Sequence, residues 1–154
     1  MDLSDLVRPT TVVGGLKVSS KKQVLQDLSE RVARETGVEA RRIFEVLNER
    51  ERLGSTGVGH GVAIPHGKLA ELDRLHGFFA RLDRPVDFDA IDDEPVDLVF
   101  VLLVPDNAGA EHLKALARVS RLFRSREMRD RLRTAETSEA LYALLVEPLA
   151  SHAA

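Results

Sequence analysis

Cysteine and tryptophan are both absent from this 154-residue chain, and aromatic residues make up only 5% of it. Without cysteine there is no disulfide framework, thiol nucleophile or thiolate metal site, so any chemistry rests on other side chains. An excess of positive charge is missing too: 22 Lys and Arg stand against 25 Asp and Glu, a formal net charge of -3. That balance supplies no global field for nucleic acid or an anionic membrane surface, and neither is expected as a partner. Long apolar runs are also lacking. The longest, Leu98 to Val104, is about a third of the ~20 residues that a membrane-spanning helix needs, so no membrane insertion is expected. Met1 to Pro9 carries Asp2 and Asp5 and no basic region ahead of an apolar one, which argues against a secretory signal and for a cytoplasmic protein.

What is present suits one packed domain over residues 1–154: hydrophobic residues make up 44% of the chain and charged residues 31%. Ser20-Lys21-Lys22-Gln23 has the capping-box form and opens a helix carrying Val24, Leu25, Leu28 and Val32, which ends at Gly37. A second helix is predicted from about Glu39 to Leu53, with Ile43, Phe44, Val46 and Leu47 as its apolar stripe and Gly54 as its stop. The stretch from Gly54 to Gly67, GSTGVGHGVAIPHG, reads as loop, short strand and loop around Val62 to Ile64. His76 to Leu82 and Val96 to Val104 read as strands, the second buried on both faces.

The acidic, proline-broken segment RLDRPVDFDAIDDEPVD between those strands is expected to be an exposed surface connection. A third helix is predicted over Ala110 to Phe123, entered through Asp106, Asn107 and Gly109, with Leu113, Leu116, Ala117, Val119, Ser120 and Phe123 facing inward. Two short helices follow from Ser125 to Val146, the second starting near Thr137 or Ser138, and the tail 148–154 is expected to fray. The interleaving implies an α/β fold: a single domain with a mixed central β-sheet and helices packed on both faces.

His66 stands between Pro65 and Gly67, after a short apolar strand, so a rigid neighbour sets its backbone and a small one leaves it open to approach. An imidazole, with a reference pKa near ~6.5, is largely neutral at neutral pH and offers a nitrogen lone pair for nucleophilic attack or metal binding. Glycines at 54, 57, 59, 61 and 67 can turn backbone N–H groups toward an anion.

The run ERERLGSTGVGHGVAIPHGK, followed by FDAIDDEPVDLVFVLLVP, closely resembles the fructose/mannitol-type IIA proteins of the bacterial phosphotransferase system, and within them the nitrogen-regulatory branch. The similarity runs from about Leu3 to Val146. It implies that His66 accepts a phosphoryl group on Nε2 from a phosphohistidine on an HPr-like phosphocarrier protein, of the nitrogen-branch type, giving a tele-phosphohistidine. It implies that Arg50 helps bind that group and that His112 is the second histidine of the site. It also implies regulatory protein targets, in nitrogen, potassium or carbon metabolism, that respond to the phosphorylation state. No cofactor is implied, and a transient homo-oligomer stays open.

Those roles make physical sense, because a phosphoryl group in transfer spreads negative charge over its oxygens. Arg50 offers a permanent cation with forked donors, and His112 sits at the positive end of a helix dipole. Ser55, Thr56, His60 and Gly67 are further phosphoryl-binding candidates. His60 departs from the family pattern, where close relatives have asparagine; it either bonds near the site as the amide would or adds a titrating group. The plainer readings stay open: Arg50 as a solvated helix end, His112 as an exposed or capping residue, and Ser55 and Thr56 as turn formers.

Three competing functions remain. A sugar-uptake IIA component would pass its phosphoryl group to a fructose- or mannitol-type IIB domain, which this chain does not carry. A non-catalytic interaction protein would use the acidic stretch Asp83 to Asp97 or the arginine-rich stretch Arg118 to Arg133. A metalloenzyme would need His60, His66, His76 and His112 together, yet no short metal-binding spacing is present, and no metal is expected.

Overall fold

Nearly every residue of strand β6 (Val96–Val104) is buried, with only Asp97 half-exposed. Its side chains alternate between two cores: Leu98, Phe100, Leu102 and Val104 enter one, and Val99, Val101 and Leu103 the other. A strand that is apolar on both faces needs cover on both faces. In the computed structural model, which describes residues 3–147, helices α1 (Lys21–Thr36) and α2 (Ala40–Arg52) supply it on one side through Val24, Leu28, Ile43 and Leu47. Helices α3 (Ala110–Arg124), α4 (Arg126–Thr134) and α5 (Ser138–Leu145) supply it on the other through Val119, Phe123, Leu132 and Leu141. The tail 148–154 lies outside the described residues.

The remaining strands are β1 (Val12–Leu16), β2 (Gly57–Gly59), β3 (Val62–Ala63), β4 (His66–Lys68) and β5 (His76–Val86). Their order is β1-β5-β6-β3-β2, with β4 also on β6, in one six-stranded sheet. Strand β5 runs antiparallel to β6, whereas β3 and β4 run parallel to it, so the sheet is mixed as expected. The single α/β domain with helices on both faces is therefore the observed fold.

Strands β3 and β4 are two parts of one interrupted line along β6, with Val62 opposite Leu98 and His66 opposite Leu102. The interruption is Ile64-Pro65. Proline has no N–H to give to a ladder, but its carbonyl still accepts from Leu102 N–H at 2.9 Å. This break is what frees the backbone beside His66.

Helix α1 forms much as its caps predict, whereas α2 and α3 have no side-chain N-cap bond. Helix α2 ends on Leu53 in the right-handed conformation, ahead of the expected stop at Gly54. The Ser20 hydroxyl accepts from Gln23 N–H, although the Gln23 side chain reaches back to Ser19 N–H, one residue further than the capping box requires. Gly37, at φ 80°, closes α1 in the left-handed conformation. The inward stripe of α3 differs from the expected one: Ala115, Val119, Leu122 and Phe123 are buried, while Leu113 is 70% exposed. Both stripes share Val119 and Phe123 at helical spacing, and only the sheet beneath selects between the two rotations.

One further expectation is corrected, and one element went unread. The 81–97 connection is not uniformly exposed, because β5 continues to Val86 and Val86, Phe88 and Ala90 then point inward in turn. Its acidic residues hide a period of two. Strand β1, VVGGL, was not legible as a strand because two glycines depress β propensity, and it is held by parallel pairing with β5.

Candidate functional site

Three elements meet at His66. The last turn of α2 brings Arg50, the first residue of β4 is His66 itself, and the first turn of α3 brings His112. Gly67 makes the meeting of α2 and β4 close: a Cβ there would lie 2.4 Å from Val46 Cγ1. Only a residue without a side chain lets β4 lie so near the helix that carries Arg50.

His66 is half-buried and part of a strand, rather than displayed on an open loop. Its Nδ1 lies 2.8 Å from the Ile64 carbonyl oxygen. A carbonyl can only accept, so that contact assigns the ring hydrogen to Nδ1 and the lone pair to Nε2. Arg50 Nε donates to that Nε2 at 3.3 Å, and Arg50 Nη1 donates to the Gly54 carbonyl at 2.8 Å. The guanidinium is thus fixed by the turn that follows its own helix and faces the Nε2 lone pair of His66.

The His112 ring packs edge-on against that of His66, with centroids 5.8 Å apart and planes at 60°. Its Nε2 is buried and makes no hydrogen bond among the described residues. A buried polar nitrogen without a partner is costly and uncommon, and here it belongs to a ring in contact with His66.

Both imidazoles are held below the ordinary histidine pKa. For His66 burial is the main cause and Arg50 acts in the same direction, while the Ile64 carbonyl and Glu51 oppose them. For His112 burial again dominates, followed by the charges that His66 and Lys68 can carry. At neutral pH both rings are therefore mainly in the neutral form, which leaves a nitrogen lone pair on each.

The other candidates lie elsewhere or are engaged. Ser55 donates its hydroxyl to the Phe88 carbonyl and accepts from Gly57 N–H. The Thr56 hydroxyl donates to Glu51 Oε2. Both hydroxyl hydrogens are thus committed to other protein oxygens. Exposed His60 forms the tip of the β2–β3 hairpin at φ 58°, where Asp92 accepts from its N–H and Arg133 donates to its carbonyl. No hydrogen bond or ring contact joins His60 to His66 among the described residues. There is also no cluster of three His, Asp or Glu side chains able to hold a metal among those residues.

Glu51 and Lys21 are the residues that reading the sequence overlooked. Glu51 is 8% exposed and paired with Lys21 Nζ at 2.9 Å. A signal was present: Glu51 continues the buried stripe of Ile43 and Leu47 at steps of four, so the charged end of ERER has one inward face.

Comparison with known proteins shows the family. The family model described as "Phosphoenolpyruvate-dependent sugar phosphotransferase system, EIIA 2" matches residues 5–147. The chain belongs to this EIIA 2 family. Among EIIA 2 relatives, it is 53% identical to the nitrogen regulatory protein of Bradyrhizobium diazoefficiens, over 99% of this chain and 100% of that one. It is 45% identical to the nitrogen regulatory protein of Pseudomonas aeruginosa, over 94% and 95% respectively. The crystal structure of nitrogen regulatory protein IIA-Ntr from Neisseria meningitidis superposes with a TM-score of 0.88 at 39% identity, covering 92% of this chain and 97% of that one. Among the described residues no helix is long and apolar enough to cross a membrane.

Proposed function

We propose that this EIIA protein accepts a phosphoryl group on Nε2 of His66 from a phosphohistidine on an HPr-like carrier. The observation that carries this is the pair of contacts on one ring: Nδ1–H bound to the Ile64 carbonyl, and a lone pair on Nε2 facing the Arg50 guanidinium. As the Nε2–phosphorus bond forms, the donor's nitrogen–phosphorus bond breaks and its electron pair returns to the donor ring. His66 keeps its Nδ1 hydrogen on Ile64, which supports the positive charge gained by the ring. Arg50 is placed to compensate the charge on the transferring oxygens, and the unpartnered His112 Nε2 offers a further contact to the group once it arrives.

The phosphorylated form then carries about two more negative charges at the site. Resemblance to nitrogen regulatory proteins supports a regulatory reading, in which cytoplasmic targets distinguish the two charge states. Incubation with a phosphorylated HPr-like carrier should label His66 alone, through a linkage labile in acid and comparatively stable in base. His66→Ala should fold normally and take no label. Label on that variant at the wild-type rate would overturn the assignment. Identical binding partners for the unmodified and phosphorylated protein, together with rapid transfer to a fructose- or mannitol-type IIB protein, would replace regulation with sugar uptake.

A further inference from the structure

We infer that Glu51 is a positioning residue for this site: through Thr56, its buried carboxylate sets both the tautomer of the His66 imidazole and the place of the Arg50 guanidinium. The inference rests on His66 as phosphoryl acceptor. An enclosed carboxylate needs partners, and Glu51 has Thr56 N–H at 3.1 Å, the Thr56 hydroxyl, and Lys21 Nζ at 2.9 Å.

Two paths lead from there to the reacting groups. In the first, the Thr56 carbonyl accepts from Ile64 N–H at 3.0 Å, and the Ile64 carbonyl accepts from His66 Nδ1 at 2.8 Å. One residue, Ile64, thus connects Thr56 to the imidazole through its N–H on one side and its carbonyl on the other, and the position of that oxygen decides which ring nitrogen bears hydrogen. In the second, the bonds from Thr56 back to Glu51 close the turn containing Gly54, whose carbonyl holds Arg50 Nη1 at 2.8 Å. Arg50 Nε is then left facing His66 Nε2.

Lys21 ties this turn to the start of α1. Its Nζ lies 4.9 Å from the centroid of the Phe88 ring and 3.4 Å from the Phe88 carbonyl, which also accepts from the Ser55 hydroxyl. The charge of Glu51 matters beside its geometry. Of the groups around His66, Arg50 of α2 opposes protonation of the ring and Glu51 of α2 favours it, while neutral His112 of α3 packs against it. A neutral residue at position 51 therefore leaves the Arg50 effect uncompensated and moves the His66 pKa further down.

Glu51→Gln keeps the length of the side chain but removes its charge and one acceptor. Thr56→Val removes the hydroxyl and leaves the Lys21–Glu51 pair, and Thr56→Ser restores the hydroxyl. Nitrogen-resolved NMR of the unphosphorylated full chain reads the His66 tautomer and pKa, and a phosphorylated HPr-like carrier reads the transfer rate. Glu51→Gln should mix the tautomers, lower the His66 pKa and slow transfer by about tenfold or more, the scale known for groups that fix the tautomer and orientation of a metal-ligating histidine. Thr56→Val should move the tautomer and rate the same way, and Thr56→Ser should return both toward wild type.

A folded Glu51→Gln with wild-type tautomer, pKa and rate overturns the inference. Should that variant fail to fold, a Thr56→Val protein with unchanged tautomer and rate overturns it equally. The tautomer is measured without phosphate, so persistent labelling of His66→Ala would sink the acceptor reading while leaving the link from Glu51 to the ring standing.

Discussion

Strand β6 has a different neighbour on each side. Along one side β5 pairs with it from His76 opposite Leu103 to Val86 opposite Val96. Along the other, the β3–β4 line pairs only at Val62, Ala63 and the three residues from His66 to Lys68. In the long ladder, backbone groups satisfy one another and the side chains are free to pack, as Phe78, Phe79 and Ala80 do with at most 2% exposure. In the broken line, the Ile64 carbonyl turns to the His66 ring instead of the sheet. A gap in a regular ladder thus supplies the fixed polar contact that a functional side chain needs.

Substitutions can test how far the two sides differ, and the largest effect is expected in the packed one. Phe100 is fully buried on β6, pairs with Phe79 in the long β5 ladder and not with the broken line, and meets Phe123 edge-on with centroids 6.0 Å apart. Phe100→Ala should cost about 3–5 kcal/mol in denaturant unfolding, with the transfer rate of the remaining folded protein near wild type. A transfer rate that fell in step with stability would show that the two sides are not separable.

Arg50→Ala should do the reverse, slowing phosphoryl uptake by roughly 10²-fold, the scale of losing one donor to developing charge, with little change in unfolding midpoint. Arg50→Lys should recover only part of the rate, since a single ammonium cannot face Nε2 and the Gly54 carbonyl with one planar fork. Wild-type kinetics in Arg50→Ala would remove the guanidinium from the mechanism.

Gly67→Ala sits between the two sides, because its added Cβ must displace Val46. Overpacking of this kind costs about 1–3 kcal/mol, and moving β4 away from α2 should lengthen the Arg50–His66 contact and slow transfer as well. A crystal structure of the variant with that contact unchanged would refute the role given to the close approach.

The smallest effect is that of pH. His66, His76 and His112 are all held below the ordinary histidine pKa, in each case first by burial. A lowered folded-state pKa means that the unfolded chain takes up protons first as pH falls. Stability from the neutral rings is therefore complete above the ordinary value of about 6.5 and is lost as pH falls through the lowered folded values. The unfolding midpoint should be flat near neutrality and decline below it, and the decline should be shallower in His66→Ala. Parallel curves for the two proteins would show that His66 contributes nothing to the linkage.

Much of this molecule was readable in advance because its cues are local. The caps at Ser20 and Gly37 mark the ends of α1, and the unbroken apolar run of β6 marks a strand covered on both faces. The Pro65-His66-Gly67 setting, with the family resemblance around it, pointed to the histidine that the tertiary structure surrounds with Arg50 and His112. The acidic stretch before β6 misled because solvent-facing aspartates outnumber the inward Val86, Phe88 and Ala90 between them.

The one-dimensional chain thus determined its fold class, most of its elements and the residue types at its site, since propensity, capping and hydrophobic period act over a few neighbours. Only the tertiary structure decided the rest. The rotation of α3, the burial of Glu51, the steric need for glycine at 67 and the hydrogen on Nδ1 of His66 all depend on groups from other parts of the chain. Val46 lies on a different element from Gly67, Lys21 is far in sequence from Glu51, and the Ile64 carbonyl is free for the ring only because β3 and β4 fail to join along β6.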